Sequence, residues 1–165
     1  RDPNGNMTPL PKPSVDTGMG LERVAAIKQN VLANYDNDEL RQIISFTEQL
    51  SGKKYDGRDY AERDVTKDLQ YAYDVAHRVI CDHVRACAFL VAEGVLPSSE
   101  GRGYVLRRLL RRACRHGRVL GLKSAFLYKV ASKVISLMSY VYPELENEAS
   151  KIEKTIQQEE EKFKD

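Results

Sequence analysis

The 165-residue chain carries 26 basic and 24 acidic side chains, and 42% of its residues are hydrophobic. That composition excludes a disordered chain and supports a folded core, while no apolar run approaches the ~20 residues that span a bilayer, so no membrane partner is expected. Three cysteines, Cys81, Cys87 and Cys114, cannot pair completely and lack CxxC spacing, which argues against a disulfide framework or a four-ligand zinc site and suits a reducing, cytoplasmic setting.

Residues 1–20 contain four of the six prolines and read as extended chain and turns, with no apolar core of a leader peptide. The chain opens on Arg1, not Met, and is expected to be an excised piece. A helix is predicted from about Gly20, where Leu21, Val24, Ala25, Val31 and Leu32 recur at helical spacing. Asp36-Asn37-Asp38 supplies caps for a second helix with Leu40, Ile43, Ile44, Thr47 and Leu50 on one face, stopped by Gly52. Residues 51–66 are polar and read as an exposed loop turning at Asp56-Gly57. A long third helix follows, its stripe running Ala72, Val75, Ala76, Val79, Ile80, His83 and Cys87. After a loop from Leu96 to Gly103, a basic helix is predicted to end at Gly117. Ser124 is placed to cap the next helix, striped by Leu127, Val130, Ala131, Val134, Leu137, Met138 and Val141 and stopped at Tyr142-Pro143. In the last segment, Leu145, Ala149, Ile152, Ile156 and Phe163 follow four- and three-residue steps interrupted by Glu159, a short seam for packing on a neighbour. The fold class is therefore mainly α.

Charge is segregated along this pattern. Gly101 to Pro143 holds ten basic residues and no acidic one, leaving 16 basic against 24 acidic residues elsewhere. Within that stretch Leu106, Leu109, Leu110 and Ala113 keep to one helix face, and Arg108, Arg111, Arg112 and Arg115 to another. Like charges three and four residues apart repel by a few tenths of a kcal/mol per pair, roughly, so the four arginines need an anion. The planar guanidinium fork suits phosphate. Two sources of anion stay open: nucleic acid, or the glutamates after Pro143 folding back onto the same face.

A second pattern is Val15-Asp16-Thr17-Gly18-Met19-Gly20-Leu21-Glu22-Arg23. Gly18 and Gly20 let backbone approach a ligand. Arg23 in the first helical turn is opposed by the helix dipole, which an anionic ligand such as phosphate would relieve; a plain turn with a surface arginine is the other reading. Asp16, before the turn, is placed to hold an ammonium group. His77 and Cys81, four apart, make half a metal site without a second pair and read as structural, so no metal is expected. His83 on the apolar stripe reads as a core histidine, and His116 as a favourable positive charge at the end of the basic helix.

Leu10-Pro11-Lys12-Pro13-Ser14 followed by Val15 to Arg23 closely resembles motif 3 of the alanyl-tRNA synthetases, class II aminoacyl-tRNA synthetases. Asp82-His83-Val84-Arg85-Ala86, Pro97 through Arg108, and Arg111 through Gly117 resemble signatures of that family's tRNA-recognition domain, in the same order. The resemblance runs over essentially the whole chain. It implies an enzyme that activates alanine with ATP and Mg²⁺ and transfers it to the alanine tRNA. It implies that residues 1–35 close the catalytic domain and residues 36–165 belong to a helical domain docking on the tRNA acceptor stem, with motifs 1 and 2 lying before Arg1. The expected architecture is a helical bundle with a short extended N-terminal arm left from a truncated catalytic sheet. By the same resemblance Arg23 would contact the ATP γ-phosphate, and Asp16 and Gly18 would line the alanine pocket. Ser99, Arg102, Arg107, Arg108, Arg111, Arg112 and Arg115 would meet the tRNA. Many family members carry an asparagine at the position of Ser99, where it helps read a G·U wobble pair. The piece alone is expected to lack adenylate-forming activity and to bind no cofactor. The competing class is a helical protein-interaction module whose arginine face pairs with its own acidic helix or a partner's.

Overall fold

The computed structural model describes residues 3–7, 9 and 17–163, which fold into seven helices. Asp16 lies outside the described residues, as does most of the expected extended arm. Among the described residues no strand forms, and the mainly helical expectation holds.

Helix α1, Leu21–Lys28, starts after Gly20 and is shorter than its apolar spacing suggests. Asn30 adopts a left-handed φ of 53°, and Val31 N–H bonds back to the Ala26 carbonyl at 3.0 Å, closing the end in a Schellman turn. Leu32 therefore falls beyond the helix and is exposed, as is Leu21 at its first position, and Ala26 is the only residue of α1 that is buried. After a 3-10 turn at Asn34–Asp36 comes α2, Asp38–Ser51. Asn37 caps it as expected, accepting from Glu39 and Leu40 N–H at 3.1 and 2.9 Å, and Gly52 ends it at φ 68°.

The central element is α3, Leu69–Ala92, whose N-cap Asp68 accepts from Tyr71 N–H at 3.0 Å. Helices α2, α4 (Gly101–Val119), α5 (Leu127–Met138), α6 (Pro143–Asn147) and α7 (Ala149–Glu161) all pack against it. One core joins Ile43 and Ile44 of α2, Ile80 and Val84 of α3, Leu106 and Leu110 of α4, Leu127 and Val134 of α5, and Ile152 and Ile156 of α7. Each such side chain, fully buried, contributes about 1.5–3 kcal/mol. The C-terminal seam is thus used inside the chain, on α5 and α3, with Leu145 on α6.

Three local expectations are corrected. The polar 51–66 segment is not a free loop. Tyr55 and Tyr60 are buried, and the fully buried Asp74 of α3 accepts from Asp56 N–H at 3.0 Å, Gly57 N–H at 2.6 Å and Tyr60 Oη at 2.7 Å. Helix α4 runs past Gly117, which is buried against the Phe126 ring where a Cβ would clash. Ser124 does not cap α5; Phe126 is the N-cap residue, and a carboxylate on α7 serves the first N–H groups instead.

Candidate nucleic-acid interface

Helix α4 has the two faces that its residue spacing predicts. Leu106, Leu110 and Ala113 are fully buried, Leu109 of the predicted apolar face is only half-buried and lies at the edge beside the arginines, and Arg108, Arg111, Arg112 and Arg115 are exposed. The loop before α4 is held tightly on its first turn. Ser98 Oγ donates to the Glu100 carbonyl at 2.7 Å, and Gly103 has no Cβ to keep Leu96 O and Ser98 away. Ser98 therefore shapes the turn, while Ser99 is exposed and makes no hydrogen bond among the described residues.

This packing brings together six of the seven predicted RNA-binding residues. Ser99, Arg107, Arg108, Arg111, Arg112 and Arg115 line one open groove of about 790 Å³. Arg102, exposed on the first turn of α4, does not line it. Arg107 Nε lies 3.0 Å from Glu159 Oε1, a carboxylate buried on α7 and shared with Lys162 at 2.9 Å. Self-pairing with the acidic C-terminal helix stops there. Arg108 lies over the Tyr104 ring at 5.9 Å and Arg111 over Phe163 at 4.9 Å, and no carboxylate within ion-pair distance serves Arg108, Arg111, Arg112 or Arg115 among the described residues.

Sequence reasoning misses a further wall residue. His83, whose stripe reads as core, lines the groove from α3 and holds Asp82 Oδ2 with Nδ1 at 2.9 Å. Its place in Asp82-His83-Val84-Arg85 is the available signal. His116 also departs from expectation: burial first, then Arg112 and His83, push its pKa down, so the ring resists the positive charge its helix end would favour.

The motif around Gly18 stands apart from the groove. Glu22 accepts an ion pair from Arg85 at 2.8 Å, which fastens α1 to α3. Arg23 is exposed, with no ion-pair or hydrogen-bond partner among the described residues, and a Cβ at Gly18 would meet nothing within 4 Å. His77 sits between Thr47 Oγ1 at 2.6 Å and the Lys53 carbonyl at 3.1 Å. Since a carbonyl only accepts, the ring donates Nε2–H to the Lys53 carbonyl, while the Thr47 hydroxyl donates to the Ile44 carbonyl at 2.8 Å and sets its oxygen against Nδ1. Cys81 is buried with Sγ 3.7 Å from the Leu40 carbonyl. Among the described residues no group of three or more His, Cys, Asp or Glu is placed to hold a metal ion, and no helix is long and apolar enough to cross a membrane.

The family described as tRNA synthetases class II (A) matches residues 1–165. The alanine–tRNA ligase of Anaeromyxobacter dehalogenans (strain 2CP-C) is 52% identical over 164 residues, 99% of this chain. That of Oleidesulfovibrio alaskensis is 48% identical over 161 residues, 98% of the chain, and that of Acidithiobacillus ferridurans 46% over 165 residues, all of it. The chain spans about 17% of the length of these curated relatives.

Proposed function

This chain belongs to the class II tRNA synthetases (A), and we propose that its arginine groove is the surface on which an alanine-tRNA ligase grips the acceptor stem of its tRNA. The observation that carries this reading is the convergence of five arginines and Ser99 on one groove, four of the arginines without a carboxylate partner among the described residues. Guanidinium groups at helical spacing can track successive phosphates along a backbone. Arg102, beside the groove on the first turn of α4, adds a phosphate contact at its edge. Phosphate contacts fix register without reading sequence. Ser99, with a free hydroxyl at the head of the groove, meets a base edge, where a hydroxyl both donates and accepts.

The same reading divides the chain into a catalytic-domain end, 1–35, and a helical recognition domain, 36–165. Arg23 is then a contact for the ATP γ-phosphate. Its unpaired guanidinium and the open backbone at Gly18 fit an anionic substrate. Asp16 and Gly18 border the alanine site. ATP with Mg²⁺ and alanine are substrates of the whole relatives' reaction, in a cytoplasmic setting. No Mg²⁺ is assigned to a residue here, because the described residues offer no ligand cluster.

The test compares binding of this chain to cognate and non-cognate acceptor-stem duplexes at several salt concentrations. Tighter binding to the cognate G·U stem, with a steep salt dependence common to both, supports the reading. Binding to neither, or salt-independent binding, leaves the arginine face to a protein partner.

A further inference from the structure

Arginine walls are one-sided. Each guanidinium offers five N–H donors and no acceptor, so it grips phosphate and is blind to an N–H or O–H that RNA displays between its phosphates. His83 supplies an acceptor on the opposite wall. Its Nδ1 lies 2.9 Å from Asp82 Oδ2. A carboxylate only accepts, so Nδ1 carries a proton, and whenever the ring holds that one proton alone Nε2 keeps a lone pair. That Nε2 is buried and bonded by no group among the described residues. The His83 hydrogen bond is the first cause holding the Asp82 carboxyl below the usual carboxylate range, so Asp82 stays an acceptor through neutral pH. Buried polar atoms are rarely left unfilled, because the lost hydration is not returned. Beside this ring, His116 Nδ1 on α4 is also buried and unfilled. The α3–α4 seam beneath the arginines thus carries two unused ring nitrogens.

We propose that His83 Nε2 accepts a hydrogen bond from RNA bound in the groove, taking a donor displayed in the minor groove, and that His83 is therefore a specificity-determining residue. The inference rests on the reading of the groove as an RNA surface. An A-form minor groove shows two such donors, the ribose 2′-hydroxyl and the guanine amino group. Phosphate cannot fill Nε2, since its oxygens are acceptors. Arg108, Arg112 and Arg115 line the same groove, and in this proposal their engagement with phosphates opens the ring edge to the RNA. Asp82 acts as a positioning residue, through the tautomer it enforces.

The experiment uses this chain and an acceptor-stem RNA duplex, followed by fluorescence anisotropy. Single 2′-deoxy positions and single inosine-for-guanine replacements are scanned through the probe. In the unmodified protein one replacement weakens binding about fivefold, the effect of one hydrogen bond. A 2′-deoxy penalty assigns the ribose hydroxyl, and an inosine penalty the guanine amino group. In His83→Phe that penalty disappears while the salt slope stays, because the phosphate contacts are untouched. Asp82→Asn provides a second variant that keeps the ring: a carboxamide can donate to Nδ1, which turns Nε2 into a donor, and the penalty disappears again. A helical circular dichroism spectrum confirms folding of each variant, and Asp82→Asn carries the test where His83→Phe does not fold. A penalty unchanged in the folded variants, or absent at every position of the unmodified protein, overturns the assignment and leaves water on Nε2. No RNA binding at all, or binding unaffected by glutamine at Arg108, Arg111 and Arg115, overturns the RNA reading itself.

Discussion

Glu160 of α7 holds the first turn of α5, 34 residues away from it at Phe126: its carboxylate accepts from Phe126 N–H at 3.0 and 3.1 Å and from Leu127 N–H at 2.9 Å. Helix N-termini leave N–H groups without partners, and here a buried anion from the last helix fills them and meets the positive end of the dipole. Closing the bundle and capping α5 are therefore the same event.

Glu160→Ala should cost about 2 kcal/mol in urea unfolding, since it removes a charged cap and strands two buried N–H groups. Glu160→Gln keeps an acceptor without the charge and should cost about half as much. Equal stability of Glu160→Ala and the unmodified protein would show that Ser124 or water caps α5 instead.

Asp74 organises the 51–66 segment from beneath, gathering two backbone N–H groups, the Tyr60 hydroxyl and Gln70 Nε2 at 2.9 Å. Asp74→Ala should destabilise the chain by about 3 kcal/mol and open this segment to limited proteolysis. Tyr60→Phe removes one of the four bonds and should cost about 1 kcal/mol. Cleavage sites unchanged in Asp74→Ala would mean that the segment is held by its tyrosines alone.

His77 makes stability depend on pH. Burial pushes its pKa below the ordinary 6.5 despite the Lys53 carbonyl and nearby carboxylates, and His116 is lowered in the same direction. Well above 6.5 the ring is neutral whether folded or not, and its contribution is fully present. As pH falls below 6.5 the unfolded chain binds a proton that the folded one refuses, so stability drops until the folded pKa is passed. Urea midpoints should therefore decline as pH falls below about 6.5. His77→Gln should flatten that decline; an identical slope in the variant would remove His77 as its source.

Much of the bundle is legible in the sequence because its determinants are local. Asn37, Gly52 and the stripe of α2 lie within one helix length, and the split faces of α4 follow from spacing alone. What escapes is long-range. Nothing near residues 51–66 announces that Asp74 will collect their N–H groups, and nothing near Ser124 announces Glu160. Polar composition reads as exposure, whereas buried acceptors make these polar groups part of the core. Glu159 looks like a break in the apolar seam, yet it is buried because Arg107 and Lys162 neutralise it. The groove is half legible: the arginines declare themselves, while His83 shares a stripe with apolar residues and is indistinguishable from them without α4 in place.

The salt dependence of RNA binding, compared between this chain and the triple variant Arg108→Gln, Arg111→Gln, Arg115→Gln, tests the groove most directly. Glutamine preserves helix propensity while removing three proposed phosphate partners. The log–log slope should flatten by roughly 0.7–0.9 for each arginine–phosphate pair removed, with similar loss of affinity for unrelated RNA sequences. A slope and affinity unchanged by the triple variant would contradict phosphate binding and place these arginines against a protein.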